Sequence, residues 1–279
     1  RDFDGAIVPV KAQLFVPQVI VATEAPIFAF ASGTTGIPDR CAPSLEQPLI
    51  DRLGFYRTNM VEYASQGIVT ILPDYVGFND DSRPQRYFSL EAEGHLMLDA
   101  IRAVQNFFTR PSISRGRLRL SGHVFVGGYS QGGHAALAAA DLRDRYAPEI
   151  PLDGVIGFAK SARLDSLLRD DPRFAPAMMY SFMNMYGREL VNPAEIFRSQ
   201  HALSLEQNMQ VMCVNQFLLH YSREPEDVYA PAFRRALYGG TLQRDFPDLW
   251  RILELNTPGL SGHGVPVLSL QGGGDRIVP

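Results

Sequence analysis

Ser130 stands in a glycine-serine-glycine pattern that could make its hydroxyl a nucleophile. It belongs to GYSQG at 128–132, between an apolar, β-branched run at 124–129 and an alanine-rich segment that predicts a helix over 133–142. A serine in a sharp strand-to-helix turn takes a positive φ, which crowds the positions two residues away, and Gly128 and Gly132 remove the side chains there. Such a pattern also occurs by chance in loops, but the flanking strand and helix favour a nucleophile elbow, which serves acyl transfer.

Acyl transfer of this kind needs donors for the oxyanion that forms on the attacked carbonyl. One is the N–H of Gln131, beside the positive end of the predicted helix. The other usually comes from the loop after the third strand, and SGTTG at 32–36 fits that loop. We expect Thr34 to donate its N–H, with a threonine hydroxyl able to add a bond. A plain glycine-rich turn is the alternative.

The serine also needs a histidine to take its proton and a carboxylate to orient that histidine. In α/β-hydrolases the acid and then the histidine follow the serine along the chain. Asp275 fits the acid, because it follows an apolar run at 265–270 through three glycines that allow a sharp turn. Its alternative role is that of an ordinary turn aspartate, and Asp165 is the reserve candidate.

The histidine is the missing member, because all six histidines precede Asp275. His263 precedes the last predicted strand and is expected at the opposite end of the sheet, while His134 is expected to pack within the elbow helix. The remaining four are assigned to the surface, to helix packing or to the helical region described below: His95, His123, His201 and His220. We therefore expect the base outside these 279 residues, on a C-terminal segment or another chain, and the chain to be processed or a fragment.

Composition excludes some classes of function. The 279 residues, 46% of them hydrophobic, can form one large α/β domain with an insertion or two ordinary domains. The net charge of −4 and the lack of a basic run argue against nucleic acid as a partner. No apolar run reaches membrane-spanning length, and no pattern implies a metal or cofactor. Two cysteines are too few for a disulfide scaffold, and the simplest interpretation is two small buried hydrophobic residues.

Strand-like runs alternate with helical patterns on either side of the elbow. The sequence predicts strands at 6–14, 19–23, 27–31, 68–72, 124–129, 154–159 and 265–270, with helices at 59–66 and 90–108 in addition to the elbow helix. Alternation of this kind predicts an α/β fold with a mostly parallel central sheet and helices on both faces.

Between 161 and 262 the strand pattern disappears and helical segments dominate, for example at 164–169, 193–199, 210–221 and 231–238. Residues 177–186 contain half of the eight methionines. Methionine and aromatic residues at helical spacing favour core packing, and the alternative is a pliable apolar surface for acyl chains. We expect a hydrolase core over 1–160 and 263–279 and a helical cap over 161–262.

Four segments together resemble one family, the secretory lipases of the lipase A type within the α/β-hydrolases. They are GTTGIPDRCAPS at 33–44, PDYVGF at 73–78, GYSQGGH at 128–134, and QGGGD at 271–275 followed by Val278 and Pro279. The resemblance implies an exported carboxylic ester hydrolase of the α/β-hydrolase fold, with Ser130 as nucleophile, Asp275 as acid and a helical cap over the acyl pocket. Family members carry a further strand and the catalytic histidine after the acid.

The resemblance also implies a disulfide between Cys41 and Cys213. Such a bridge would tie the loop on the oxyanion side to the cap and restrict the motion of the cap.

The residues and the resemblance predict a secreted or periplasmic serine esterase or lipase acting on lipid or acyl esters, with transient contact between the cap and a lipid interface. An acyltransferase or a peptidase on the same fold stays open, separable by whether an alcohol or amine competes with water for the acyl group. The absent histidine also leaves open a catalytically dead binding protein. A lipase and a short-chain esterase differ in pocket depth and in cap opening. The methionine-rich segment favours a lipid substrate.

Overall fold

A six-stranded sheet forms the centre of the protein. The computed structural model describes residues 1–47, 53–80, 82–114, 116–275 and 277, so Val278 and Pro279 lie outside the described residues. The strands are β1 (Ala12–Phe15), β2 (Thr23–Ala31), β3 (Val69–Pro73), β4 (Leu118–Tyr129), β5 (Leu152–Phe158) and β6 (Val267–Leu270). Their order is β1-β3-β2-β4-β5-β6, with β1 antiparallel to β3 and the other neighbouring pairs parallel. The predicted mostly parallel sheet is confirmed.

Helices follow the strands and cover the sheet. The α-helices are α1 (Tyr56–Ser65), α2 (Leu90–Phe108), α3 (Pro111–Ser114), α4 (Gln131–Tyr146), α5 (Leu164–Asp170), α6 (Ala175–Tyr186), α7 (Pro193–Ile196), α8 (Ser199–Met209), α9 (Val214–His220), α10 (Pro225–Val228), α11 (Pro231–Tyr238), α12 (Leu242–Asp245) and α13 (Pro247–Leu255). Short 3₁₀ helices lie at Asp39–Cys41, Pro43–Leu45 and Pro172–Phe174.

Alternate residues of β2 face opposite sides of the sheet, because side chains alternate along a strand. Ile27 and Ala29 belong to the apolar core formed with α2 and α4. Phe28 and Phe30 belong to a second cluster with residues of α1, among them Tyr56. Helices therefore cover both faces, and the serine between β4 and α4 lies at the middle of the sheet.

The structure differs from the predicted strands at the N-terminus. In place of strands at 6–14 and 19–23 it contains β1, only four residues long, and β2, which begins at Thr23 and runs without a break to Ala31. Prolines explain the shortness of β1 because they cannot donate to a strand ladder. Pro9 and Pro17 lie on either side of β1, and Pro26 lies at the register shift between Ala25 and Ile27, where β2 pairs with β4.

The predicted helix at 210–221 is also wrong in its first turn. Helix α8 ends at Met209 and α9 begins at Val214, with Cys213 in an extended conformation. The backbone of Cys213 forms an isolated β-bridge with Gly36, and the N–H of Val214 donates to the carbonyl of Thr35 at 2.8 Å. This long-range pairing overrides the local helical preference.

The methionine-rich segment forms α6, most of which is buried. Met178 and Met179 are fully buried and Met183 nearly so, within an apolar cluster that holds helices α5 to α13 together. Tyr87 and Phe88, which precede α2, join the same cluster. Of the two interpretations of this segment, the structure favours core packing.

Candidate active site

Ser130 occupies the sharp turn between β4 and α4, with φ 52° and ψ −111°. A Cβ on Gly128 would lie 2.6 Å from the Cα of Gly132. A Cβ on Gly132 would lie 2.6 Å from the carbonyl carbon of Ala31 and closer still to its oxygen. The positive φ predicted for the serine is confirmed, and both glycines stand where no side chain fits.

The main chain of Ser130 is firmly held, while its hydroxyl makes one weak contact among the described residues. The N–H donates to the carbonyl of Phe158 at 2.9 Å, and the carbonyl accepts from Gly133 and Ser161 at 2.9 and 3.2 Å. The Oγ atom lies 3.4 Å from Oγ of Ser161, which is long for a hydroxyl–hydroxyl bond. The hydroxyl of this half-buried serine is therefore able to rotate towards a reacting carbonyl.

A cavity of about 230 Å³ is lined by Ser161, the residue whose hydroxyl lies 3.4 Å from that of Ser130. Lys160, Ser161, Ala162, Arg163, Ser166, Leu167, Asp170 and Ile277 line it.

The two predicted oxyanion residues meet at the same edge of the sheet. Gln131 is the first residue of α4, so its N–H has no intrahelical acceptor and points out of the helix N-terminus. The loop 32–36 follows β2, whose last residue, Ala31, pairs with Gly128 of β4. Because β2 and β4 are parallel neighbours, the loop that carries Thr34 lies beside the elbow.

Three buried tyrosine hydroxyls hold the loop 32–36, a feature that sequence reasoning missed. The Tyr75 hydroxyl donates to the carbonyl of Ser32 at 2.5 Å, the Gly33 N–H donates to the Tyr56 hydroxyl, and the Thr34 and Tyr87 hydroxyls lie 2.7 Å apart. Burial raises the pKa of each of these phenols well above its usual range. The three side chains therefore stay neutral and act as fixed dipoles around the loop.

Asp275 lies at the same edge of the sheet as Ser130, two strands away. Strand β6 is parallel to β5, with Leu270 opposite Phe158, and β5 is parallel to β4, with Phe158 opposite Tyr129. Two strand spacings amount to about 9.6 Å. The carboxylate of Asp275 accepts from Nε2 of Gln271 at 3.2 Å and from the N–H of Ile277 at 2.9 Å.

The three glycines before Asp275 are not needed for the conformation observed. Gly272, Gly273 and Gly274 have no positive φ, and a Cβ on any of them would meet open space. The turn that places Asp275 is therefore open to other residues, in contrast to the elbow. The reserve acid, Asp165, forms a two-pronged ion pair with Arg163 at 3.0 and 3.1 Å, so both its oxygens are occupied.

All six histidines lie within the described residues, and the imidazole ring of each makes its polar contacts away from Ser130. Only the backbone N–H of His134 reaches the serine, donating to its carbonyl at 3.3 Å. His95 pairs with Glu91, His123 with Asp153, His134 with Glu93 and the Asn256 carbonyl, His201 with the Asp227 carbonyl, His220 with Asn208, and His263 with the Val265 N–H. His263 precedes β6, so it lies towards the opposite end of the sheet, as predicted. His134 packs inside α4, also as predicted.

Cys41 and Cys213 form a disulfide with their Cα atoms 5.5 Å apart. The pairing implied by the resemblance is confirmed, and the interpretation as two separate buried thiols is wrong. The bridge closes a loop across 172 residues and joins the segment after the loop 32–36 to the start of α9. The disulfide and the backbone pairing of Gly36 with Cys213 thus connect the candidate oxyanion loop to the helices that follow β5.

The part of the chain that the structure describes holds no group of three His, Cys, Asp or Glu side chains arranged to bind a metal ion. Among the same residues, no helix is long and apolar enough to cross a membrane.

Comparison with known proteins identifies the family. The model of the secretory lipase family matches residues 54–279. The chain belongs to the secretory lipase family. The match includes Ser130, Gln131 and Asp275 but begins after Thr34.

Two relatives of this chain are lipases by name. It is 30% identical over 130 residues to Lipase A of Moesziomyces aphidis, a match covering 47% of this chain and 23% of that protein. It is 25% identical over 246 residues to the secreted triacylglycerol lipase LIP1 of Malassezia furfur, covering 80% of this chain and 44% of that one. The chain therefore spans less than half the length of these relatives.

Solved structures share the fold of this member of the secretory lipase family. Candida antarctica lipase A superimposes with a TM-score of 0.73 at 20% identity, over 100% of this chain and 64% of that one. The rice cell wall degrading esterase LipA of Xanthomonas oryzae gives a TM-score of 0.72 at 19% identity, over 97% and 72%. These matches confirm the α/β-hydrolase fold.

Proposed function

We propose that the protein is a serine carboxylic ester hydrolase that forms an acyl-enzyme on Ser130. The observation that carries the proposal is the strained turn of Ser130 between β4 and α4, with the two glycines around it closely packed. A non-glycine residue with positive φ is uncommon and costs free energy, so it points to function. Family membership supports the same conclusion.

In the proposed reaction the Ser130 oxygen attacks the ester carbonyl while a base takes its proton. The carbonyl oxygen becomes an oxyanion, which the N–H groups of Gln131 and Thr34 stabilise. The oxyanion collapses, the bond to the alcohol oxygen breaks, and the alcohol leaves with the proton held by the base. Water then attacks the acyl-enzyme in the same way and releases the acid. We assign Asp275 to orient the base.

The base of this proposal comes from outside the 279 residues. Support comes from the imidazole rings of the six histidines, none of which has a polar contact with Ser130 among the described residues. Both ring nitrogens of His134, the nearest histidine in sequence, are engaged at 2.6 and 2.7 Å.

We further propose that residues 161–262 act as a cap on a core formed by 1–160 and 263–279, and that the cap contacts lipid. Leu203 on α8 and Leu219 on α9 are 88% and 89% exposed, as residues that enter a lipid interface would be. The names of the two relatives support acyl esters such as triacylglycerols as substrates and a secreted location. Burial of the methionines in α6 directs the proposed lipid contact to these outer helices instead.

The experiment that tests the function is labelling of the naturally produced protein with a serine-directed fluorophosphonate, followed by intact mass measurement and peptide mapping. We expect one adduct, on Ser130, together with mass beyond the 279 residues or a second chain that supplies the base. A natural protein of 279 residues that gives no adduct would favour the dead, ligand-binding alternative.

Replacing Asp275 by Asn is expected to lower kcat for ester hydrolysis by about 10³-fold or more, because the base would lose the carboxylate that fixes its tautomer. The measurement is steady-state turnover of a soluble short-chain ester, normalised by fluorophosphonate titration. The control is Asp165→Asn, which breaks the pair with Arg163 and should leave kcat within a few-fold. A reversed ranking of the two variants would make Asp165 the acid.

A further inference from the structure

Glu93 is a buried carboxylate beside the candidate active site that the proposed reaction does not use. It lies in the first turn of α2 and is 1% exposed. A buried carboxylate is tolerated only when hydrogen-bond donors satisfy its oxygens. Oε1 accepts from the N–H of Phe88 at 3.0 Å and from Nε2 of Gln131 at 2.7 Å, and Oε2 lies 2.6 Å from Nδ1 of His134.

His134 holds this carboxylate from the other side. Its Nε2 lies 2.7 Å from the carbonyl oxygen of Asn256, which only accepts, so Nε2 carries a hydrogen. The contact between Nδ1 and Glu93 holds one further proton, on either partner. Asn256 is itself 2% exposed, and its side chain accepts the N–H of Leu90 at the start of α2. The carboxylate of Glu93, on α2, is therefore held against α4 and, through His134, against the end of α13.

The Gln131 side chain depends on this carboxylate for its position. Gln131 is fully buried, and its Nε2 donates to Glu93. Its Oε1 has no hydrogen-bond partner in the described part of the chain, so the bond to Glu93 is the polar contact that anchors the side chain. Gln131 follows Ser130 directly, so anchoring its side chain also restricts the peptide plane between the two residues.

We propose that Glu93 is a positioning residue that aims the backbone N–H of Gln131 at the oxyanion. This inference rests on the proposed function, since the N–H has an oxyanion to meet only if Ser130 attacks a carbonyl. A donor that costs no reorganisation during the reaction contributes most to the rate, and a buried anchor supplies that rigidity. The role needs the hydrogen-bond acceptor of Glu93 rather than its charge.

The test is Gln131→Met in the natural protein, which keeps the backbone N–H and the approximate volume but removes the amide that bonds Glu93. Deleting an oxyanion donor lowers kcat by about 10²–10³-fold, so misaiming one is expected to lower kcat by roughly 10-fold. KM for a soluble short-chain ester should stay within about twofold, because the donor acts in the transition state. Titration of Ser130 with fluorophosphonate counts the active molecules. Because kcat is then calculated per active molecule, unfolded protein does not lower it.

Two further variants separate positioning from a structural role. Glu93→Gln keeps an acceptor for Gln131 and Phe88 and can donate to Nδ1 of a neutral His134, so its kcat should stay within about threefold of wild type. Glu91→Gln, two residues earlier on α2, breaks a surface pair with Arg145 and His95 and should match wild type.

A kcat of Gln131→Met within twofold of wild type would overturn the inference. Glu93→Gln falling as far as Gln131→Met would also overturn it, by showing that the charge matters. If wild type labels at Ser130 and hydrolyses ester, either result removes only the positioning role. If wild type neither labels nor hydrolyses ester, the proposed function fails and takes this inference with it.

Discussion

Replacement of Ser130 by alanine is expected to abolish the fluorophosphonate adduct and to lower ester turnover on the order of 10⁴-fold or more. The oxygen that forms the acyl bond is then absent, and what remains is the contribution of the oxyanion donors and of substrate binding. Melting temperature should not fall, because alanine removes a hydroxyl whose contact with Ser161 is long at 3.4 Å. Turnover of a short-chain ester and intact mass after labelling are the measurements.

Ser65→Ala is the matched control, since Ser65 lies on α1 and its hydroxyl has local partners, donating to the carbonyl of Glu62 and accepting a long bond from the side chain of Gln66. It should label and turn over as wild type does. Ser161 is the alternative nucleophile, because its hydroxyl is the one next to Ser130. An adduct that persists in the Ser130→Ala protein and maps to Ser161 would contradict the assignment.

The nucleophile turn could be predicted from the sequence because everything it needs is local. The strand, the glycines at 128 and 132 and the helix all lie within about 20 residues, and backbone sterics connect them. The helix over Leu90–Phe108 was predicted at its exact bounds for the same kind of reason, since its apolar spacing and first-turn acids agree. Parallel pairing of neighbouring strands then placed the loop 32–36 and Asp275 at the same edge.

The support around the site could not be predicted, because its contacts join distant parts of the chain. Glu93 and His134 are separated by 41 residues, and each taken alone matches an ordinary helix position. Tyr56 and Tyr87 both follow the loop 32–36 at a distance in the chain and bond neighbouring residues of it, and no spacing signals this. The Cys41–Cys213 pair was implied only by the family resemblance, since two cysteines carry no pairing pattern of their own.

The difference between local and long-range contacts also explains the errors in the predicted secondary structure at residues 6–23 and 210–213. In both places the predicted element followed local residue preferences, and a non-local partner or a proline decided otherwise. Cys213 joins Gly36 and Cys41, and this pairing holds it extended where the local pattern favoured helix. Each of the two expected oxyanion residues thus depends on its own non-local contacts. Helices α2 and α4 support Gln131, and the buried tyrosines and the segment around the disulfide support the loop that carries Thr34.

Replacement of Gly132 by alanine is expected to destabilise the fold by about 3 kcal/mol or more, because overpacking against backbone cannot be relieved by a side-chain rotation. The added Cβ would lie 2.6 Å from the carbonyl carbon of Ala31 and 2.8 Å from the Ser32 oxygen. Either the start of α4, which carries Gln131, or the end of β2, which leads into the loop with Thr34, must move. Thermal unfolding should show a fall in Tm of roughly 10 °C.

Gly273→Ala is the matched control, since Gly273 has no positive φ and its Cβ would meet open space. Its free energy of unfolding should stay within about 0.5 kcal/mol of wild type. If Gly132→Ala accumulates only as aggregate while Gly273→Ala accumulates normally, the same steric conflict is the cause. Equal stability of the two variants would mean that Gly132 does not pack on Ala31. The elbow and the oxyanion loop would then be farther apart than the β2–β4 pairing requires, and the site built on their contact would have to be redrawn.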